Sequence, residues 1–247
     1  MRKLFIFSVA AAFIVLVGCS KETPTNSVSS MKEAADPMGE DAQDQIATYE
    51  IVIENLTPNN GNGASQPFSP IVIAAHAPTY HIFRDGKQAS YELGRLAEDA
   101  QSDPLISQLS GSPYVYDYNM GGGVVLPGKS ETLEIKARLG FRYFSLVSML
   151  VNTNDGFVGA DGIQLPGLKQ GGSSVHYLNS YDAGTEKNTE LEEHIPGPCC
   201  GNPGVRVPEN KRVMTHDGIQ GHGDLDPAVW GWDEPVAKLT ITLKSIE

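Results

Sequence analysis

An apolar run, Ser145-Leu146-Val147-Ser148-Met149-Leu150-Val151, passes directly into Asn152-Thr153-Asn154-Asp155-Gly156, a set of oxygen-bearing side chains on a tight turn. Further along, Tyr181-Asp182-Ala183-Gly184-Thr185-Glu186 sets two carboxylates around Ala-Gly, residues small enough to let a loop fold closely around something. Hard cations such as Ca²⁺ take six to eight oxygens from carboxylates, amides, backbone carbonyls and water. Asp155, Asp182 and Glu186 would bring three carboxylates to such a site from two loops. The competing reading is turn chemistry alone, because Asp beside Gly is an ordinary turn pair.

A second cluster, His216-Asp217-Gly218-Ile219-Gln220-Gly221-His222-Gly223-Asp224-Leu225-Asp226, invites a transition-metal reading. Its histidines sit in a Gly-rich loop rather than at helical i, i+4 spacing, and no HExxH motif occurs. A solvated or hydrogen-bonding loop is therefore favoured. The enzyme alternative is a metal-dependent hydrolase that activates water on this His216–Asp226 loop. His76 and His81 read as packing or hydrogen-bonding groups, and Glu98 as a solvated or capping residue on a helix face. Nucleophilic catalysis has no Gly-x-Ser-x-Gly elbow to rest on. Gly121-Gly122-Gly123 lacks the lysine and helix of a phosphate-binding loop.

Cys199 and Cys200 are adjacent. Neighbouring Cα atoms lie about 3.8 Å apart, closer than the roughly 4.4–6.8 Å that ordinary disulfides span. A strained vicinal disulfide, free thiols and a bound metal are the three readings. The spacing is not that of a CxxC site.

These loops need a frame. Tyr49 to Asn55 reads as a half-exposed strand, and Pro70 to Ala75 as a more fully buried one. Leu93, Leu96 and Ala97 fall at helical spacing within 89–100, and Asp103-Pro104 starts a second short helix through Leu109. Strand alternation returns at 131–138, 143–151 and 236–243, while 152–230 carries few strand signals. Strands at both ends with long Gly/Pro-rich loops between them predict an all-β fold. It is an antiparallel β-sandwich with one or two short helices, its first and last strands pairing.

The chain opens MRKLFIFSVAAAFIVLVGCS. Arg2 and Lys3 precede an apolar run, Leu4 to Val17, shorter than the roughly 20 residues of a spanning helix. That is the pattern of a secretory signal. Leu16-Val17-Gly18-Cys19 resembles the lipobox of bacterial lipoproteins, which implies cleavage before Cys19 and lipid on its thiol. Ser20 in place of aspartate implies, by the same resemblance, outer-membrane delivery. Residues 19–48 are rich in Ser, Thr, Pro, Asp and Glu, the composition of a flexible tether. The division expected is thus signal 1–18, tether 19–48 and folded domain 49–247. Without Arg2 and Lys3 the 18 Lys and Arg become 16 against 30 Asp and Glu, a net −14. Such a charge argues against nucleic acid as a partner.

Several segments together resemble the spondin domain, the N-terminal module of F-spondin-type matrix proteins, which also occurs in bacterial secreted proteins. They are Tyr49-Glu-Ile-Val-Ile-Glu-Asn-Leu-Thr57, Phe68-Ser-Pro-Ile-Val72 with His76, Leu96-Ala-Glu98, residues 145–159, Tyr181–Glu186, and Trp230–Ala237, which is similar to the family's last strand. The resemblance implies a C2-like β-sandwich with bound calcium, and maps the ligands onto Asp155, Asp182 and Glu186. Glu186 stands where the animal motif has Asp. The function implied is non-catalytic adhesion or matrix association. The partners are then an extracellular or periplasmic protein or glycan, and the membrane through lipid on Cys19.

Overall fold

The alternation that begins the domain reaches back to Ile46. In the computed structural model, which describes residues 45–61, 64–167, 169 and 171–247, strand β1 runs Ile46–Asn55, with every second side chain buried. The expected signal, the tether up to residue 44 and the lipidated Cys19 lie outside the described residues. Ala47, Tyr49, Ile51 and Ile53 face inward, while Thr48, Glu50, Val52 and Glu54 form the other, half-exposed face. The final strand, β10 (Ala237–Ile246), alternates in the same way and pairs antiparallel with β1 from Asn55↔Ala237 to Ala47↔Ile246. The first and last strands do pair.

Among the described residues the remaining strands and α-helices are β2 (Val72–His76), α1 (Tyr91–Asp99), α2 (Asp103–Gly111), β3 (Val115–Met120), β4 (Ser130–Arg138), β5 (Tyr143–Met149), β6 (Gly156–Gln164), β7 (Ser173–Leu178), β8 (Ser180–Asp182), β9 (Met214–Thr215) and α3 (Pro227–Trp230), with a 3-10 turn at Glu192–His194. They form two antiparallel sheets, ordered β4-β1-β10-β7 and β3-β2-β5-β6-β8-β9. The fold is an all-β sandwich. Among the described residues it carries three short α-helices, the third only four residues long.

The inner faces enclose one core, in which Tyr49, Ile51 and Ile53 meet Ile73, Phe144, Leu146, Leu239 and Ile241. The outer face of the six-stranded sheet carries a second core, where Val72, Ala74, Val147 and Met149 pack under Leu93, Leu96, Leu105 and Leu109 of the helices. Covered on both faces, β2 is buried throughout. Continuous apolar sequence is what two-sided burial requires. Ser90 caps α1 by accepting the Leu93 N–H, and Pro104 opens α2. Each fully buried Leu or Ile contributes about 2 kcal/mol.

Three expectations need correction. The stretch 152–230 holds four strands, β6 to β9. They escape the pattern because β6 is broken by Gly156, Gly159 and Gly162, while β7 is a polar edge and β8 and β9 are very short. Trp230 closes α3, and the last strand starts only at Ala237. Glu98 is not solvated: it is buried and accepts hydrogen bonds from Arg95, at 2.9 Å, and from Arg206. Asp99 beside it takes the other nitrogen of each guanidinium. Two arginines against two carboxylates make the burial of Glu98 within this partly exposed cluster tolerable.

Candidate functional site

The turn between β5 and β6 is closed by Thr153. Its Oγ1 donates to the Leu150 carbonyl at 2.7 Å and accepts the Gly156 N–H at 2.9 Å. This leaves Asn152, Thr153, Asn154 and Asp155 almost wholly buried. Four consecutive polar side chains without solvent must find their partners inside the protein. Asn152 donates to the Ser65 carbonyl (2.6 Å) and accepts the Cys199 N–H (3.2 Å). Asn154 donates to Glu186 Oε1 (3.3 Å) and accepts the Glu190 N–H (3.3 Å).

Asp155 faces the second loop. Its Oδ2 accepts from the Thr185 N–H (2.8 Å), the Thr185 hydroxyl (3.2 Å) and the Glu186 N–H (3.0 Å). The other oxygen, Oδ1, is buried with no hydrogen-bond partner among the described residues. Asp182 lies opposite Gly156 in the β6–β8 ladder and accepts from the Gly184 N–H (2.6 Å) and from Asn188 Nδ2 (2.7 Å). Asn188 Oδ1 is likewise buried without a partner. Gly184 is required here. Its φ is +72°, and a Cβ would come within 2.7 Å of the Lys211 carbonyl carbon.

Burial, reinforced by the nearby charge of Asp182, pushes the Asp155 carboxyl up to about 7. The three hydrogen bonds to Oδ2 work in the opposite direction but do not offset it. Burial also pushes Glu186 up to about 8. Asp155 and Asp182 are thus brought together, while the Glu186 carboxyl turns toward Asn154. Among the described residues no three His, Cys, Asp or Glu side chains gather closely enough to hold a metal by themselves. An oxygen-ligated cation does not need three. Two neighbouring carboxylates, an unpartnered Asp155 Oδ1 and an unpartnered amide oxygen on Asn188 suit a hard cation.

The family model described as Spondin_N matches residues 47–194. The chain belongs to the Spondin_N family. No curated protein matches it. The Spondin_N match covers β1 to β8 and contains Asp155, Asp182, Glu186 and Glu190. It ends before Cys199, the His216–Asp226 loop and β10, although β10 completes the sheet by pairing with β1.

Those later segments pack on the site from outside the Spondin_N match. Cys199 and Cys200 are joined by a disulfide and pack beside Ile195, Ile219, Leu225 and the two tryptophans. In the His216–Asp226 loop His216, Asp224 and Asp226 turn to different partners, and His216 Nε2 is buried with no hydrogen-bond partner among the described residues. His216 is buried against Trp232, and its Nδ1 accepts the Gly218 N–H at 2.9 Å. That bond assigns the proton of the neutral ring to Nε2, which leaves no lone pair there for a metal. Burial pushes the His216 ring below the usual histidine range. Asp224 accepts the Glu192 N–H at 3.1 Å, and Asp226 caps α3 through the Ala228 N–H. His222 is exposed.

The loop is organised by a residue that the sequence does not mark. Glu190 is buried, with φ of +55°, and its two carboxylate oxygens accept the Gln220 and His222 N–H groups at 2.6 Å each. Its carbonyl accepts from Asp224 and Leu225. Nothing in Asn188-Thr189-Glu190-Leu191 signals this role, because every partner lies about thirty residues away. His76 and His81 do serve hydrogen bonds: His76 Nε2 lies 2.7 Å from Ser145 Oγ, and His81 Nδ1 meets Asp161.

Proposed function

We propose that this Spondin_N chain is a non-catalytic binding module of the cell exterior, with its two site loops stabilised by calcium. The observation that carries the cation is the buried Asp155 Oδ1, unpartnered and close to a second carboxylate. Asp155 and Asp182 would hold the ion, with neutral oxygens such as Asn188 Oδ1 completing the set. A bound cation supplies positive charge that removes the repulsion between the two carboxylates and ties the 152–156 turn to the 182–188 loop. In this reading Glu186 contributes mainly its backbone N–H. Calcium should raise the melting temperature, by the equivalent of about 2.7 kcal/mol at a hundredfold excess over Kd. An identical melt with calcium and with chelator would overturn the cation.

Display at the cell envelope from lipid on Cys19, and delivery to an outer membrane, belong to the same proposal. They rest on the Leu16–Cys19 resemblance. Among the described residues no helix is long and apolar enough to cross a membrane. Cys19→Ala should move the protein from the membrane fraction to the soluble fraction and abolish incorporation of labelled fatty acid. Unchanged fractionation would remove the anchor from the proposal.

A further inference from the structure

The disulfide between Cys199 and Cys200 closes almost no chain. Stabilisation of a fold by a crosslink grows with the length of loop it closes, so a bond between neighbours is the weakest of staples. What it fixes is local. Successive side chains on an extended backbone point to opposite faces, whereas the S–S bond holds both sulfurs on one side. There they pack beside Ile195, Ile219, Leu225, Trp230 and Trp232. The turn that carries them is drawn in by the Cys200 and Gly201 N–H groups, which donate to the Gly197 carbonyl at 3.0 and 2.9 Å.

This turn is fastened to the one that bears Asp155. The Cys199 N–H donates to Asn152 Oδ1 at 3.2 Å. Gly197 lies so close that a Cβ would stand 1.8 Å from the Val151 carbonyl oxygen and 2.5 Å from Asn152 Oδ1. Asn154 Nδ2 reaches the His194 carbonyl at 3.5 Å. Asn152 and Asn154 are both buried, so neither can replace a lost partner with water unless the turn opens. The sulfurs, by contrast, are within reach of solvent. Cys199 and Cys200 are each partly exposed, and Cys199 lines an open recess of about 310 Å³ with Asn60, Pro198 and Trp230. Access is what thiol–disulfide exchange requires.

We infer that the Cys199–Cys200 disulfide is a redox latch on the turn that bears Asp155. A dithiol reductant attacks as its thiolate, passes through a mixed disulfide and leaves as a cyclic disulfide. Its two electrons and two protons appear as the Cys199 and Cys200 thiols. The sulfurs then part, the 197–201 turn loosens, and the Cys199 N–H leaves Asn152. The 152–155 turn loses an outer fastening, and with it part of the fixed placement of Asp155. Oxidised protein therefore holds calcium more tightly than reduced protein. That effect on calcium rests on the cation reading, whereas release of the turn does not.

The test uses the whole chain, oxidised and after treatment with dithiothreitol. In chelator, hydrogen exchange at the Asn152 and Cys199 amides should quicken roughly fivefold on reduction, the equivalent of one lost hydrogen bond, with β1 and β10 unchanged. Calcium affinity should fall by a similar factor. Linkage requires the converse: calcium should lower the reduced fraction in a fixed mixture of reduced and oxidised dithiothreitol by that same factor. Cys199→Ser with Cys200→Ser should match the reduced protein and ignore the dithiol. Equal exchange in the two redox states, or a double variant that still responds to dithiothreitol, would overturn the latch. Faster exchange with unchanged calcium affinity would overturn its control of the ion. Faster exchange with no calcium binding in either state would remove the cation and leave the latch standing.

Discussion

Asp155 Oδ2 accepts the backbone N–H of Glu186 at 3.0 Å, while the Glu186 carboxyl lies on the far side, 3.3 Å from the amide of Asn154. Two acids that the sequence presents as equals therefore serve one site in different ways. Asp182→Asn should abolish most of the calcium-induced rise in melting temperature, and Glu186→Gln should keep most of it. Thermal melts with calcium and with chelator compare them. Equal losses would place the Glu186 carboxyl on the ion.

In chelator the same acids set a pH dependence. Burial raises Glu186 from 4.5 to about 8, so over that interval the folded chain keeps a proton that the unfolded chain has released. The stabilisation is full below the unfolded value and is lost as pH rises through about 8. Asp155, raised to about 7, adds in the same direction. The chelated protein should lose stability as pH rises from about 4.5 to about 8 and change little above that. Glu186→Gln should flatten the upper part of that decline in urea titrations. A wild-type midpoint that rises with pH across this window would contradict the assignment.

Gly184→Ala should destabilise by about 3 kcal/mol, from a left-handed backbone and a Cβ forced against the Lys211 backbone. The urea midpoint reads the loss. Gly86→Ala is the comparison: φ there is also positive, at +74°, but a Cβ meets nothing within 4 Å. It should lose only about 1 kcal/mol.

Glu190→Ala strands the Gln220 and His222 N–H groups and should remove about 2 kcal/mol. Hydrogen exchange at those two amides should speed up well before global unfolding, with Glu190→Gln intermediate. Unchanged protection would mean that the loop is held by something else.

Much of the frame is legible from residue order because its causes are local. Period-two alternation marks β1 and β10, the spacing of Leu93, Leu96 and Ala97 marks α1, and Pro104 announces α2. What stays hidden is set by distant partners. Gly159 weakens the strand pattern of β6, yet a Cβ there would meet the Phe83 ring at 2.7 Å, so the third dimension demands the glycine. Glu98 looks like a surface acid until Arg206, 108 residues away, reaches it. The site divides in the same way. Asp155 and Asp182 stand out as acids in tight loops, whereas Glu190 depends on contacts no short motif contains.

The pairing of β1 with β10 has a mechanical consequence. Ile46 and Glu247 exchange backbone hydrogen bonds at 2.9 Å in each direction, and β1 is an inner strand flanked by β4 and β10. If the domain hangs from its N-terminal side, tension entering at Ile46 along the strand axis shears two ladders at once. Their hydrogen bonds, perpendicular to the strands, then share the load instead of opening one after another. A pull that separates Ile46 from Glu247 would unzip the same pair from its end. Ile46 is thus a point where the domain resists load along one direction and yields to it across, whichever surface that load comes from.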